Sequence, residues 1–159
     1  MTALKVNREF FLRHLAVALV MLGVGGWFAY DGFVVYPRTP AAELYEKIEK
    51  SAPGEGFPLE GFKRQKIRSQ YGFTVLCLLA AALIGLHLAA VCRFRFAYDE
   101  TGFEWRGRRR PLSDVKSVDR AAWKRKGIVK IALSDGSRVT LDAWHHVGVK
   151  EFERLLPPV

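Results

Sequence analysis

One stretch of the chain, Asp142-Ala143-Trp144-His145-His146, gathers residue types that ligate metals or pass protons. Adjacent histidines project in different directions, and a tetrahedral site needs three or four convergent donors. With no third donor close in sequence, the stretch reads as a strand-to-helix corner in which Asp142 caps the turn. No metal and no cofactor are assigned. The motifs G-x-S-x-G, H-E-x-x-H, the Walker lysine loop and C-x-x-C do not occur. The chain therefore carries no recognisable catalytic set, and the expected task is binding rather than turnover.

Two basic groups have the chemistry for binding. Trp123-Lys124-Arg125-Lys126-Gly127 reads as a loop tip with an aromatic just before a strand. Basic tips hold phosphates through charge-assisted hydrogen bonds, and tryptophan favours the bilayer interface, so a lipid headgroup competes here with a plain solvated loop. Arg108, Arg109 and Arg110, with Arg106 just before them, form the second group, for which membrane-proximal anchoring or an acidic protein surface serves equally well. The net charge of +9 would also suit nucleic acid, but no nucleic-acid motif is present and the excess has a membrane explanation. Residues 91 to 159 hold 15 Lys and Arg against 9 Asp and Glu, the larger share of that excess. A basic head beside a bilayer gains ~1 kcal/mol per basic residue near anionic headgroups.

The elements that must position these groups begin with two apolar runs. Tyr71 to Val91 contains 21 residues without a formal charge. A helix rising ~1.5 Å per residue needs ~20 such residues to cross ~30 Å of hydrocarbon. Leu15 to Tyr30 is shorter, but Phe10 to Leu12 extend it while Arg13 reaches toward the headgroups. Lys5, Arg8 and Arg13 ahead of an apolar run also fit a secretory signal. Trp27-Phe28-Ala29-Tyr30 lacks the small-residue spacing of a cleavage site, so the segment is read as a retained span.

Two spans place both termini on one side of the inner cell membrane. Lys5, Arg8 and Arg13, with Arg93, Arg95, Arg106 and Arg108 to Arg110, favour the cytoplasmic side; Lys63, Arg64, Lys66 and Arg68 oppose them. The expected organisation is an N-terminal segment with the first transmembrane helix over 1–30, a connecting loop over 31–70, the second helix over 71–92 and a head over 93–159. Cys77 and Cys92 fall on one helix about 22 Å apart and cannot bridge each other.

Small residues at interfacial spacing, Gly25 and Ala29 on the first span and Ala81, Gly85 and Ala89 on the second, let helices approach closely. They are read as packing the hairpin on itself, with a homodimer interface as the competing use. His87 is read as facing a partner helix. In the connecting loop, Asp31-Gly32 interrupts the apolar pattern, and Phe33 to Pro37 looks like an interfacial aromatic segment. Thr39 is then expected to cap a short helix with Pro40 at its first position, stabilised by Glu43–Lys47 and Glu46–Lys50 pairs.

The head is β-rich by pattern. Phe94, Phe96 and Tyr98 alternate with polar or small residues, Asp99-Glu100-Thr101-Gly102 makes a turn, and Phe103 and Trp105 alternate after it. Gly107 to Arg110 is expected to be a basic turn. Leu112, Val115 and Val118 mark a third strand, Val129, Ile131 and Leu133 a fourth, and the Asp135-Gly136 turn leads to a fifth with Val139 and Leu141 inward. Val149, Phe152, Leu155 and Leu156 then recur at helical spacing, giving one amphipathic helix that closes the domain.

Antiparallel hairpins ending in one amphipathic helix resemble the pleckstrin-homology-like (PH-like) fold, specifically the bacterial PH-like domain proteins with N-terminal transmembrane helices. The resemblance is carried by Asp99-Glu100-Thr101-Gly102-Phe103, by Arg110-Pro111-Leu112-Ser113-Asp114-Val115-Lys116-Ser117-Val118, and by Asp135-Gly136 followed by Val139-Thr140-Leu141-Asp142. It covers about residues 92 to 156, and the head departs from the family in having fewer legible strands, five: either the sheet is shortened, or Arg106 to Arg110 and Ala121 to Trp123 complete extra short strands. No ligand-binding residue carries over. The expected fold is thus an α+β membrane protein: a two-helix transmembrane hairpin followed by a small antiparallel PH-like domain. The expected function is a non-enzymatic scaffold or anchor that presents this head to a protein partner or to anionic lipid headgroups. The alternative is an accessory subunit of a larger membrane enzyme or transporter.

Overall fold

The computed structural model describes residues 1–157. In chain order the elements are β1 (Thr2–Ala3), β2 (Lys5–Val6), α1 (Arg8–Tyr30), a π-helical turn (Asp31–Val35), α2 (Tyr36–Arg38), α3 (Ala41–Glu49) and α4 (Leu59–Arg93). The chain then forms β3 (Phe96–Asp99), β4 (Gly102–Trp105), β5 (Arg108–Pro111), a 3-10 turn (Leu112–Asp114), β6 (Val115–Asp119) and α5 (Trp123–Lys126). It finishes with β7 (Ile128–Leu133), β8 (Arg138–Asp142), β9 (His146–Val147) and α6 (Val149–Leu155). The protein is α+β, with two long apolar helices and antiparallel sheets. Two compact units divide it: Leu15–Leu86, and a second unit formed by Met1–His14 with the chain from His87 onward.

The helical unit is built on close approach between α1 and α4. A Cβ on Gly25 would lie 3.1 Å from Cys77 Cβ, tighter than ordinary contact, so only glycine fits without displacement. Ala18 and Ala81 are buried, and Phe28 stacks on Phe73 with centroids 5.1 Å apart. The hydroxyl of buried Thr74 donates to the Gln70 carbonyl at 2.9 Å, which keeps that polar group satisfied among apolar neighbours.

The sequence places a break at Asp31-Gly32, but the helix continues to Arg38. Pro37 offers no N–H to the preceding turn, and the wider π turn before it absorbs the lost bond. Thr39 does not cap α3; its hydroxyl donates back to the Val35 carbonyl at 2.9 Å, and Pro40 precedes the first helical residue, Ala41. The 31–70 segment is firmly packed. Lys63 Nζ donates to the carbonyls of Pro37 (3.0 Å) and Thr39 (2.8 Å), Leu44 is buried, and Tyr45 packs against Phe57 and Phe62. The Glu43–Lys47 pair forms at 3.0 Å. Lys50 instead adopts a left-handed conformation as the C-cap of α3.

In the β unit, one sheet runs β1-β3-β4-β5, another β6-β7-β8, and β2 pairs with β9. Alternation sends Phe96, Tyr98, Phe103 and Trp105 inward from the first sheet, and Val129, Ile131, Leu133, Val139 and Leu141 from the second. Phe152 of α6, fully buried, touches Phe96, Tyr98 and Phe103 at ring centroids of 4.9, 5.1 and 5.8 Å, which joins α6 to this core. Two features differ from the expectation. The chain's first residues are strands of the head, with Thr2 opposite Tyr98 and Lys5 opposite Val147. The basic run Arg108–Pro111 is also a strand, because the turn is made by two residues only, Arg106 (φ +54°) and Gly107 (φ +71°).

Gly102 shows how closely β4 and β5 approach, since an added Cβ would collide with the Arg110 carbonyl. Overpacking of this kind costs roughly 1–3 kcal/mol. Gly102→Ala is therefore expected to lower the thermal midpoint of the head by roughly 10 °C, read by near-ultraviolet circular dichroism of the detergent-solubilised chain. A midpoint equal to the parent's would mean that the strands are not held this close.

Candidate functional site

The candidate residues divide by what already occupies them. On β5, Arg109 donates to Asp99 Oδ2 and to Thr101 Oγ1, each at 2.9 Å, and Arg110 donates to Asp135 Oδ2 at 2.7 Å. Both acids are prepared for this role by their turns. Asp99 Oδ1 accepts from the Thr101 hydroxyl (2.6 Å), the Thr101 N–H (3.0 Å) and the Gly102 N–H (3.1 Å). The Thr101 hydroxyl contributes most, and with the backbone bond and Arg109 it holds the Asp99 carboxyl down at about 2. Asp135 is likewise held well below the usual carboxylate range, by the Ser137 hydroxyl and N–H and then by Arg110. Two of the three β5 arginines thus fasten turns to the sheet, and Arg108 alone makes no ion pair among the described residues.

The Trp123–Lys126 segment is one helical turn rather than a loop, closed by the Gly127 N–H on the Trp123 carbonyl at 2.8 Å. Trp123 is half-buried and packs on the head's core, so its ring is structural. Lys124, Arg125 and Lys126 are exposed. Lys150 and Arg154 of α6 line the same shallow pocket of about 330 Å³, where Glu153 is engaged by Arg120 Nε at 2.6 Å.

A third basic site was not singled out from the sequence. Arg93 from the last turn of α4, Arg95 just after it, Arg106 from the β4–β5 turn and Arg138 from the start of β8 line a cleft of about 560 Å³. No acidic residue lines it, and none of the four makes an ion pair among the described residues. Their positions span 46 residues of sequence, so only the sheet brings them together. The one advance signal is the alternation of Arg95 with Phe94 and Phe96 leading into β3, which sets Arg95 on the face opposite the core.

Beside this cleft lies a second, more apolar pocket of about 260 Å³, lined by His87, Ala90, Val91, Phe94, Thr140, Asp142, His145 and His146. Three of the chain's four histidines line it, and His14 lies beside them, 6.0 Å from His87 between ring centroids. Phe10, fully buried, touches His14, His87 and His145 at centroids of 4.2, 5.8 and 4.5 Å, and His146 Nε2 lies 3.3 Å from the Val91 carbonyl. Asp142 Oδ1 accepts the Trp144 N–H at 2.7 Å, the turn-capping role expected of it, but the corner leads from β8 into β9 and not directly into a helix. Among the described residues, no three His, Cys, Asp or Glu side chains are placed to share a metal ion.

Of the small residues on the apolar helices, Gly25 and Ala81 are buried, while Ala29 and Ala89 are half-buried. Gly85 is exposed with open space around its Cα, off the seam expected for it. The chain matches no protein-family model, no curated protein and no solved structure.

Burial pushes both His145 and His146 below the ordinary imidazole value of about 6.5. For His145 the nearby Asp142 opposes this while His87, His146 and His14 reinforce it; for His146 the Val91 carbonyl and Asp142 oppose it. The unfolded chain therefore takes up these protons at higher pH than the folded one, so their contribution is complete above about pH 6.5 and is lost as the pH falls below it. The head's thermal midpoint is expected to be lower at pH 5.5 than at pH 7.5, with a smaller difference in His145→Gln and His146→Gln. An unchanged midpoint across that interval in the parent would contradict this.

Proposed function

We propose that this is a non-enzymatic integral membrane protein whose two apolar helices cross the bilayer and tether a PH-like basic head at its cytoplasmic surface. There the head binds anionic headgroups. The observation that carries this reading is uncovered apolar surface. Only 17% of the most apolar stretch of each long helix is buried, and Leu19, Val20, Leu76, Leu79, Leu83 and Leu86 are all more than half exposed. A helix in a water-soluble core buries such a stripe, whereas hydrocarbon covers it from outside. The 35 residues of α4 extend about 52 Å, enough to cross ~30 Å of hydrocarbon and continue beyond it.

The strand pairings support the topology. Because β1 and β2 belong to the same β unit as β3 to β9, the beginning and end of the chain share one side, which requires an even number of crossings between them. Arginines concentrated around that unit favour the cytoplasmic side. The PH-like assignment draws on the turn motifs and on a helix packed into the core of two antiparallel sheets. The excess of Lys and Arg in the head, part of it free of ion pairs, supports an anionic partner.

The native cysteines test this directly. Cys92, exposed near the end of α4, is expected to react with a membrane-impermeant maleimide in inside-out vesicles and not in right-side-out ones. Cys77, in the middle of α4, is expected to stay unlabelled in both until detergent is added. Labelling of Cys77 in intact vesicles as fast as Cys92 would exclude the transmembrane placement of α4.

A further inference from the structure

Four arginines that make no ion pair among the described residues line one cleft of the head, and one of them is held there against the preference of its own backbone. The β4–β5 connection is a two-residue turn with both residues at positive φ, positions where Asn, Asp or Gly is favoured. Arginine at φ +54° is strained, and strain of this kind persists where the side chain has a task. The surroundings support one. The Arg106 guanidinium lies over the Trp105 ring, 4.5 Å from its centroid, and this cation–π contact aims it without neutralising it.

Arg93, Arg95 and Arg138 come from three other elements and, like Arg106, make no ion pair among the described residues. Asp135, which shares a neighbouring pocket with Arg106, is committed to Arg110. An all-arginine, acid-free cleft of about 560 Å³ suits a group with several negative oxygens, because each guanidinium presents a planar fork matched to phosphate. Apart from Gly107 and Thr140, the rest of the lining is apolar, from Ala90, Phe94, Trp105 and Val139. A ligand with a phosphate at one end and a hydrocarbon-linked backbone at the other fits that division better than free phosphate does.

We propose that this cleft binds the phosphate of an anionic lipid headgroup supplied by the membrane that α4 enters. The assignment rests on the membrane reading above. Ala90 and Arg93 lie in the last turns of α4, where its uncharged run ends at Cys92, and this is the level at which headgroup phosphates begin. Arg106, Arg138 and Arg95 then close on the phosphate from the head, while the exposed Lys124 to Lys126 turn takes no part in this contact.

The test titrates the full chain in neutral detergent micelles with dihexanoyl phosphatidic acid, using dihexanoyl phosphatidylcholine as the neutral control and inorganic pyrophosphate as the soluble source of phosphate. Arg106→Gly relieves the positive φ and so preserves the turn; Arg138→Gln is a second, independent removal. Each is expected to weaken phosphatidic acid binding at least about 10-fold, the loss typical of a charge-assisted hydrogen bond. The triple change Lys124→Gln, Arg125→Gln, Lys126→Gln is expected to alter it less than about 2-fold. Equal weakening by the triple variant would overturn the pocket in favour of diffuse charge. Pyrophosphate binding as tight as phosphatidic acid, and lost in the same variants, would overturn the lipid source. No binding by a chain whose Cys77 remains protected in vesicles would overturn the proposal alone, whereas labelled Cys77 would remove the membrane reading beneath it as well.

Discussion

The antiparallel pairing of the chain's first residues with its last third is the constraint on which the rest depends. Thr2 and Ala3 extend the sheet beside Tyr98 and Ala97, and Lys5 and Val6 pair with Val147 and His146. These are short ladders, yet they make the start of α1 and the end of α4 parts of one β unit. Any chain joined in this way must leave and re-enter the same unit, so the two long helices form a hairpin by connectivity. Their own small residues, Gly25 and Ala81 above all, then determine how closely they pack.

A second constraint is the distribution of charge within the head. Its turns repeat one device, an aspartate whose carboxylate accepts the N–H two residues on, at Asp99, Asp119, Asp135 and Asp142. Two of these aspartates also take an arginine from β5. Fixing these turns engages two of the head's aspartates with Arg109 and Arg110, while the arginines of the neighbouring cleft make no ion pair among the described residues. The histidines follow the opposite logic. His14, His87 and His145 contact Phe10, and burial disfavours charge on His145 and His146, beside a strand corner held by Asp142.

Local signals in the sequence were reliable wherever one residue type forced one geometry. The Asp99-Glu100-Thr101-Gly102 and Asp135-Gly136 turns, the alternation through Phe96 to Trp105, and the helical spacing of Val149, Phe152 and Leu155 all correspond to elements of the structure, whereas Leu156 lies just past the helix in extended backbone. The same reasoning read the β5 run first as a basic turn and only alternatively as an extra short strand. A run of three arginines has no hydrophobic period to read, and its strand character comes from cross-strand partners, Glu104 opposite Arg109 among them. It also missed β1 and β2, whose two-residue lengths give no pattern at all, and it read a break at Asp31 where a π turn carries the helix on to Arg38.

What the sequence determined by itself was composition along the chain: two uncharged runs long enough for a bilayer, a strongly basic remainder, and turn residues that cut it into short strands. Those follow from near-neighbour chemistry, which is written in consecutive residues. Which arginines stay free was decided only by the tertiary structure. Arg109 and Arg110 sit in the most conspicuous basic run and are both neutralised, whereas Arg93, Arg95, Arg106 and Arg138 share a cleft because a strand register and a two-residue turn bring them there. Ion pairing and convergence depend on distances of a few ångströms between residues far apart in the chain, and only the folded backbone fixes those distances.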